Sequence, residues 1–200
     1  MSRIVEIGPY HNIPPENWGE NYSERRHLGR MESEMFQIHR FYFSFENHIK
    51  RLVRRFNGLP VLRILDGGCG EGSALSDFRE IADKLGVKLE TTGITLDPRH
   101  RGILKGREVD EIVIGSVENF FETDVRENYF QFILDYQGAL GWDDSRGVIG
   151  GTIIPIYARI LTHGGLALLS SAPFPGLLKS SSLRIIQGAE EKGPVLVQKV

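Results

Sequence analysis

Apolar residues recur at steps of three, four or seven between Met31 and Phe56. Met35, Ile38, Phe45, Ile49, Leu52 and Phe56 form one stripe, and Asn57-Gly58 with Pro60 supplies a stop. That spacing predicts one long amphipathic helix. Met1 to Arg30 is polar and interrupted by Pro14, Pro15 and Gly19, the pattern of an arm that packs over the domain or is partly mobile.

Beyond Phe56, short apolar runs alternate with helical stretches. VLRIL (Val61 to Leu65) reads as a buried strand, Ser73 to Leu85 as a helix closed by Gly86, Leu89 to Leu96 as a second strand ended by Pro98, and Arg101 to Arg107 as a weak helix. EIVIG (Glu111 to Gly115) makes a third strand, Asn119 to Glu127 a helix and FQFIL (Phe130 to Leu134) a fourth strand. Ile153 to Leu161 follows as a helix with Pro155 in its first turn, and LALLS (Leu166 to Ser170) as a fifth strand. Such alternation predicts an α/β fold, with a doubly wound, mostly parallel sheet whose ligands lie beyond the strands' carboxyl ends. Leu183 to Ile186 and Val195 to Val200 are joined by QGAEEKGP, too short a link for a helical crossover, so a C-terminal antiparallel hairpin is expected. The pattern divides into an N-terminal arm and helix over residues 1–57, placed as a cap on the substrate side, and a ligand-binding domain over 58–200.

Composition adds limits more than clues. The 200 residues are 40% hydrophobic and 25% charged with net charge −2, an ordinary globular mixture that gives no bulk attraction to nucleic acid or an anionic membrane. No run of 18 apolar residues occurs and the first residues lack a signal-peptide core, so no membrane span and a cytoplasmic location are expected. Cys69 is the single cysteine, which excludes an internal disulfide, and the six histidines show no metal-ligand spacing, so no metal is expected.

The chemistry is concentrated in LDGGCGEGSA, Leu65 to Ala74, which places Gly67, Gly68, Gly70 and Gly72 between the first predicted strand and the first helix of the sheet. A helix N-terminus presents unpaired N–H groups and partial positive charge, and glycines let the backbone approach a ligand without a Cβ. A tight strand-to-helix turn needs fewer glycines. The spacing is neither the dinucleotide G-x-G-x-x-G nor the phosphate-loop G-x-x-x-x-G-K-[ST].

LDGGCGEG resembles the first motif, (L/V)(D/E)xGxGxG, of class I S-adenosylmethionine-dependent methyltransferases, which have a Rossmann-like fold and curl this loop around the methionine part of the cofactor. TGITLDP, IGSVENF, FILDYQGAL and LTHGGLALLS follow in that family's order, so the resemblance covers roughly Val61 to Ser170. It implies S-adenosylmethionine as cofactor. It also implies contacts from Asp66, Gly67, Gly68, Cys69, Gly70 and Gly72 in the loop, Thr95, Leu96, Asp97 and His100 at the ribose, Ser116 and Val117 at the adenine, and Asp135 and Tyr136 near the methyl group. Where most relatives carry an acidic ribose ligand this chain has Thr95, as in the cyclopropane-fatty-acid synthase branch, which makes Thr95 and His100 the matching pair and Asp97 the alternative. Ser116 stands where an aspartate usually holds the adenine, implying a weaker or water-mediated hold.

Methyl transfer asks the protein mainly to align nucleophile, methyl carbon and sulfur, and to take a proton where the acceptor is not a free base. Asp135, after the fourth strand, is the candidate catalytic group; its alternative role is capping the next turn. Cys69 sits inside the cofactor loop, where it packs as a small hydrophobe rather than serving as the nucleophile of carbon-5 pyrimidine methylation. The [DNS]-P-P-[FY] motif of base-amine methylation is absent, and His163 reads as a helix-end cap.

For the acceptor, Phe36 and Phe43 project opposite the helix stripe, either covered by the arm or forming a lid. Trp142, Asp143 and Asp144 lie in the loop before Ile153, either lining the acceptor mouth or forming ordinary surface. HIKRLVRR, His48 to Arg55, clusters Lys50, Arg51, Arg54 and Arg55 as a solvated face or a contact for RNA or acidic lipid. A methyltransferase for a small or medium-sized acceptor is therefore expected. The alternatives are a non-catalytic cofactor sensor or partner subunit, or an RNA or protein methyltransferase using the basic face. The sequence selects no oligomeric state.

Overall fold

The computed structural model of the chain describes residues 2–7, 26–136, 148–170, 181–188 and 193–200. Its strands are β1 (Arg3–Glu6), β2 (Leu62–Asp66), β3 (Leu89–Thr95), β4 (Glu111–Ile114), β5 (Phe130–Asp135), β6 (Leu161–Leu169), β7 (Leu183–Gly188) and β8 (Val195–Lys199). The described helices are α1 (Leu28–His39), α2 (Phe45–Arg55), α3 (Ser73–Leu85), α4 (His100–Gly106), α5 (Val117–Thr123) and α6 (Val148–Ile160).

The strands form one sheet in the order β1-β4-β3-β2-β5-β6-β8-β7, with every pairing from β1 to β6 parallel. β8 runs antiparallel to both β6 and β7, so β7 again points with the parallel set. The expected doubly wound sheet and its C-terminal hairpin are both present. Period-two alternation sorts side chains to two buried faces. Ile64, Ile112, Ile114, Phe132, Leu134, Leu166 and Leu168 join a core with α1 to α4, whereas Leu65, Val113, Ile133, Ala167 and Leu169 join a core with α5 and α6. No helix among the described residues is long and apolar enough to cross a membrane.

Several elements differ from the sequence pattern. The single helix predicted over Met31 to Phe56 is two, because Arg40 turns left-handed (φ 51°, ψ 30°) to close α1 and the Ser44 side chain caps a new start at α2. The stripe therefore breaks: Met35, Phe45, Ile49 and Leu52 are buried, but Ile38 is 68% exposed. The break also sends Phe43 inward, where it stacks on His48 at 4.3 Å, so it is a core ring and not half of a surface lid with Phe36.

The arm contributes a strand. β1 pairs with β4 from Arg3↔Glu111 to Glu6↔Ile114, and Gly115 is bare because a Cβ there would lie 2.5 Å from the Ile7 carbonyl oxygen. Residues of 1–57 thus share the sheet and one core with residues of 58–200. α6 begins at Val148, which leaves Pro155 in its interior rather than its first turn. β6 starts at Leu161, placing His163 in a strand with Nδ1 3.2 Å from the Val200 carbonyl, not at a helix cap.

Phe45 starts α2 and meets Phe78 of α3 at 5.6 Å and Phe132 of β5 at 6.3 Å, both edge-on. Phe45→Ala should lower unfolding free energy by about 3–5 kcal/mol in urea denaturation. A loss within the error of the measurement would show that α2 is not part of the core.

Candidate functional site

β2 is central, and the chain leaves it towards β3 and β4 on one side before returning to β5 on the other. That reversal opens a crevice at the carboxyl ends of β2 and β5, the place where open α/β sheets bind ligands. The loop from Gly67 to Gly72 fills its rim. Gly67 N–H donates to the Leu134 carbonyl and Cys69 N–H to the Ile94 carbonyl, each at 2.9 Å, so the loop is tied to both neighbouring strands. Gly70 (φ 53°) and Gly72 (φ 83°) take left-handed turns, and α3 starts on Gly72 without a side-chain cap.

Two of the four glycines answer to protein packing. A Cβ on Gly67 would fall inside the contact distance of the Tyr157 hydroxyl, and one on Gly72 would lie 2.6 Å from a Leu104 methyl. Their number alone therefore overstates the demand made by a ligand. Cys69 is fully buried in the core, and burial followed by the Asp66 charge pushes its thiol up, so it is no nucleophile.

Asp66 and Asp135 end adjacent strands but face opposite ways. Asp66 pairs in register with Leu134, so it leaves the sheet on the α1–α4 face, and Asp135, one residue further, leaves on the α5–α6 face. Arg26 meets the first carboxylate: Nη2 donates to Asp66 Oδ1 at 2.6 Å, Nη1 donates to the Tyr136 carbonyl, and both side chains are at most 1% exposed. Gly68 N–H also donates to Asp66 Oδ1 at 3.2 Å, while Asp66 Oδ2 is buried with no hydrogen-bond partner among the described residues. Tyr157 meets the second, its hydroxyl donating to Asp135 Oδ2 at 2.8 Å. Burial and the neighbouring Asp135 charge push the Tyr157 phenol far up, so it remains a donor. Tyr136 is pushed up to about 12 by burial, with Glu34 adding and Arg26 opposing.

At the end of β3, Thr95 Oγ1 lies 3.0 Å from His100 Nδ1, so these two candidates are in contact. The Asp97 carboxylate is held by the Arg99 guanidinium, which keeps it below the usual carboxylate range, and Leu96 beside it is half-buried. Burial holds His100 below its ordinary value against the opposing pull of Asp97. Ser116 caps α5 by accepting from Asn119 N–H at 3.2 Å, and Val117 is buried beneath it. The basic cluster lies elsewhere. Arg55 packs on Gly164, and Val53 and Phe56 line a cavity of about 200 Å³ with Val61 and Leu62, at the amino end of β2 and away from the loop. Trp142, Asp143 and Asp144 lie outside the described residues.

No protein-family model matches the chain, and no curated protein matches it. Solved structures do. A Listeria monocytogenes protein assigned to the class I S-adenosylmethionine-dependent methyltransferases superposes with TM-score 0.52 at 12% identity, covering 96% of this chain and 72% of that one. TrmN from Thermus thermophilus superposes with TM-score 0.50 at 17% identity over 76% of this chain, which spans 48% of TrmN's length. The chain has the class I methyltransferase fold. In that fold, the resemblance read in LDGGCGEG falls on the loop at the crevice, and Thr95, His100, Ser116 and Asp135 fall at the carboxyl ends of β3, β4 and β5.

Arg26 and Tyr157 were invisible as site residues. Arg26 sits in a polar segment without period, and Tyr157 reads as one more apolar residue of its helix. The single hint was Gly67, a bare residue whose partner lies 90 residues on.

Gly67→Ala should destabilise by about 1–3 kcal/mol through overpacking, and by much less in a Tyr157→Phe background, where the clashing oxygen is gone. Equal costs in both backgrounds would reject the contact. His48 and His100 are both held below their ordinary values by burial, so between those lowered values and about 6.5 the unfolded chain binds more protons. Melting temperature should accordingly fall from pH 7.5 to 5.5, and His100→Gln should flatten part of that slope.

Proposed function

We propose that this chain is a methyltransferase that binds S-adenosylmethionine at the β2–α3 loop and passes its methyl group to a small or medium-sized acceptor. The observation that carries the reading is a buried carboxylate with one oxygen, Asp66 Oδ2, unpartnered among the described residues, at a loop of left-handed glycines in the crevice of a class I methyltransferase fold. A buried acceptor left unsatisfied costs about 1–3 kcal/mol, more when charged, and an α-ammonium group offsets that cost.

The remaining residues fit the same ligand. Gly68, Gly70 and Gly72 give a backbone wall for the amino-acid tail, and Thr95 with His100 take the ribose hydroxyls. Thr95 and His100 meet at the end of β3, and Asp97, held by Arg99 beside them, is the alternative ribose ligand. Ser116 spends its hydroxyl on the α5 cap, so Val117 offers apolar contact to the adenine and the ring's amine is held less directly. When bound, S-adenosylmethionine supplies an activated methyl group on a sulfonium.

Asp135 acts by orientation. Its Oδ2 is bonded to a buried phenol that stays protonated, which holds the carboxylate at the end of β5 and withdraws that oxygen from proton transfer. An acceptor carrying its own lone pair needs alignment and no base. The basic face of α2 ends near the amino ends of β2 and β6, away from the loop, which supports a small acceptor over RNA. A non-catalytic cofactor sensor is the second reading, favoured by the commitment of both Ser116 and Asp135 to internal bonds.

Calorimetry should show S-adenosylmethionine and S-adenosylhomocysteine binding, abolished by Gly70→Asp, and turnover on an acceptor panel should separate enzyme from sensor. Silence with both compounds, alongside tight binding of NADH or a nucleoside triphosphate, would overturn the reading.

A further inference from the structure

The basic run from His48 to Arg55 takes no part in the crevice, and the fold gives it neighbours of its own. Arg51 and Arg54 lie exposed on α2, Arg55 closes that helix against Gly164, and Lys88 stands exposed just before β3. Elsewhere the guanidiniums are largely neutralised: Arg3, Arg63, Arg79, Arg99, Arg101 and Arg126 all meet carboxylates. Arg51, Arg54, Arg55 and Lys88 meet none among the described residues, whereas Lys50 is spent on Glu46 and Lys84 is offset by its exposed neighbour Asp83. A chain of net charge −2 thus carries a local excess of positive charge.

Basic residues in the last turn of a helix answer its dipole, which accounts for Arg54 and Arg55. It does not account for Lys88, nor for what lies beside the cations. Phe56 to Leu59 is a tight turn, with Leu59 N–H donating to the Phe56 carbonyl at 2.9 Å and Gly58 at φ 102°. That turn displays Leu59, 47% exposed. Behind it the cavity of about 200 Å³ is walled by Val53, Phe56, Val61, Leu62 and Val87 and reaches Lys88. A lone exposed leucine is ordinary on a protein surface. One at the tip of a turn, backed by open apolar walls and edged with unpaired cations, is the pattern of a contact surface.

We propose that this end of the molecule docks on an anionic lipid bilayer as a peripheral contact. Arg51, Arg54, Arg55 and Lys88 meet the headgroups, and Leu59 enters the boundary between headgroups and acyl chains. Charge and apolar tip match that boundary together, because negative headgroups there overlie hydrocarbon directly. A nucleic-acid backbone would engage the cations alone. Leu59 has no counterpart in it, and Phe56 is half-buried in the cavity wall rather than displayed for stacking. The glycine loop follows the carboxyl end of β2 and this surface lies at its amino end, so a docked molecule keeps its crevice open to water. The proposal stands apart from the cofactor reading.

Vesicle co-sedimentation with the full chain is the test. The protein should partition onto phosphatidylcholine vesicles containing phosphatidylglycerol and not onto phosphatidylcholine alone. Salt at about 1 M, where the screening length is about 3 Å, should release it. Arg54→Gln and Lys88→Gln should each weaken partitioning about five-fold, the usual worth of one basic residue at such a surface. Leu59→Ser should weaken it about five-fold and leave the salt dependence as it was. All three side chains are exposed, and a melting temperature equal to that of wild type shows that the fold is kept.

No partitioning at low salt overturns the proposal, and binding of single-stranded RNA in its place assigns the cations to nucleic acid. Equal partitioning onto neutral and anionic vesicles also overturns it. So does undiminished partitioning of the Arg54→Gln/Lys88→Gln double variant, which puts the contact on another face, or of Leu59→Ser, which removes the apolar insertion.

Discussion

Adjacent residues of a strand leave opposite faces of a sheet, and in this protein both faces are buried, so every residue at a strand's carboxyl end is assigned to one layer of helices or the other. The site follows from that constraint. Asp66 and Thr95 fall on the side of α3 and α4, where the glycine loop turns, and Asp135 falls on the side of α6. A register slip of one residue in β5 would exchange Asp135 for Leu134 and bury a carboxylate among the α1–α4 rings. The parallel pairings Asp66↔Leu134 and Asp66↔Gly93 hold the three strand ends level and keep these assignments fixed.

Two buried polar contacts then close the crevice from either side. The Arg26–Asp66 pair is costly to bury, by several kcal/mol per ion before its mutual attraction is counted, and breaking such a pair leaves a lone charge that costs more. The Tyr157–Asp135 bond gives a buried carboxylate a hydrogen-bond donor from α6. Both bring a partner distant in sequence to a strand end, so the shape of the crevice depends on α1 and α6 docking correctly.

Much of this was legible in the order of residues. Ser73–Leu85 was readable to the residue because its period, its glycine neighbours and the left-handed Gly86 agree. The central strands were readable because β2, β4, β5 and the second half of β6 are short, largely apolar runs buried on both faces. The break at Arg40 was not, since an arginine in the left-handed region carries no signal of the kind glycine gives, and the stripe continues across the gap at helical steps. β1 escaped notice because RIVE is only four residues long and gains its partner from β4, more than 100 residues later. Within the site, loop and strand-end residues stood out by motif, but Arg26 and Tyr157 act through tertiary contact, which periodicity does not encode.

The position of β8 bears on how the chain is made. β7 touches the rest of the sheet only through β8, which follows it in sequence and is inserted between it and β6. As the polypeptide emerges from a ribosome, residues 183–188 must therefore wait with bare backbone edges until residues 195–199 are out. The edge of β6 is exposed over the same interval, so two strands present unpaired backbone until β8 fills the gap between them.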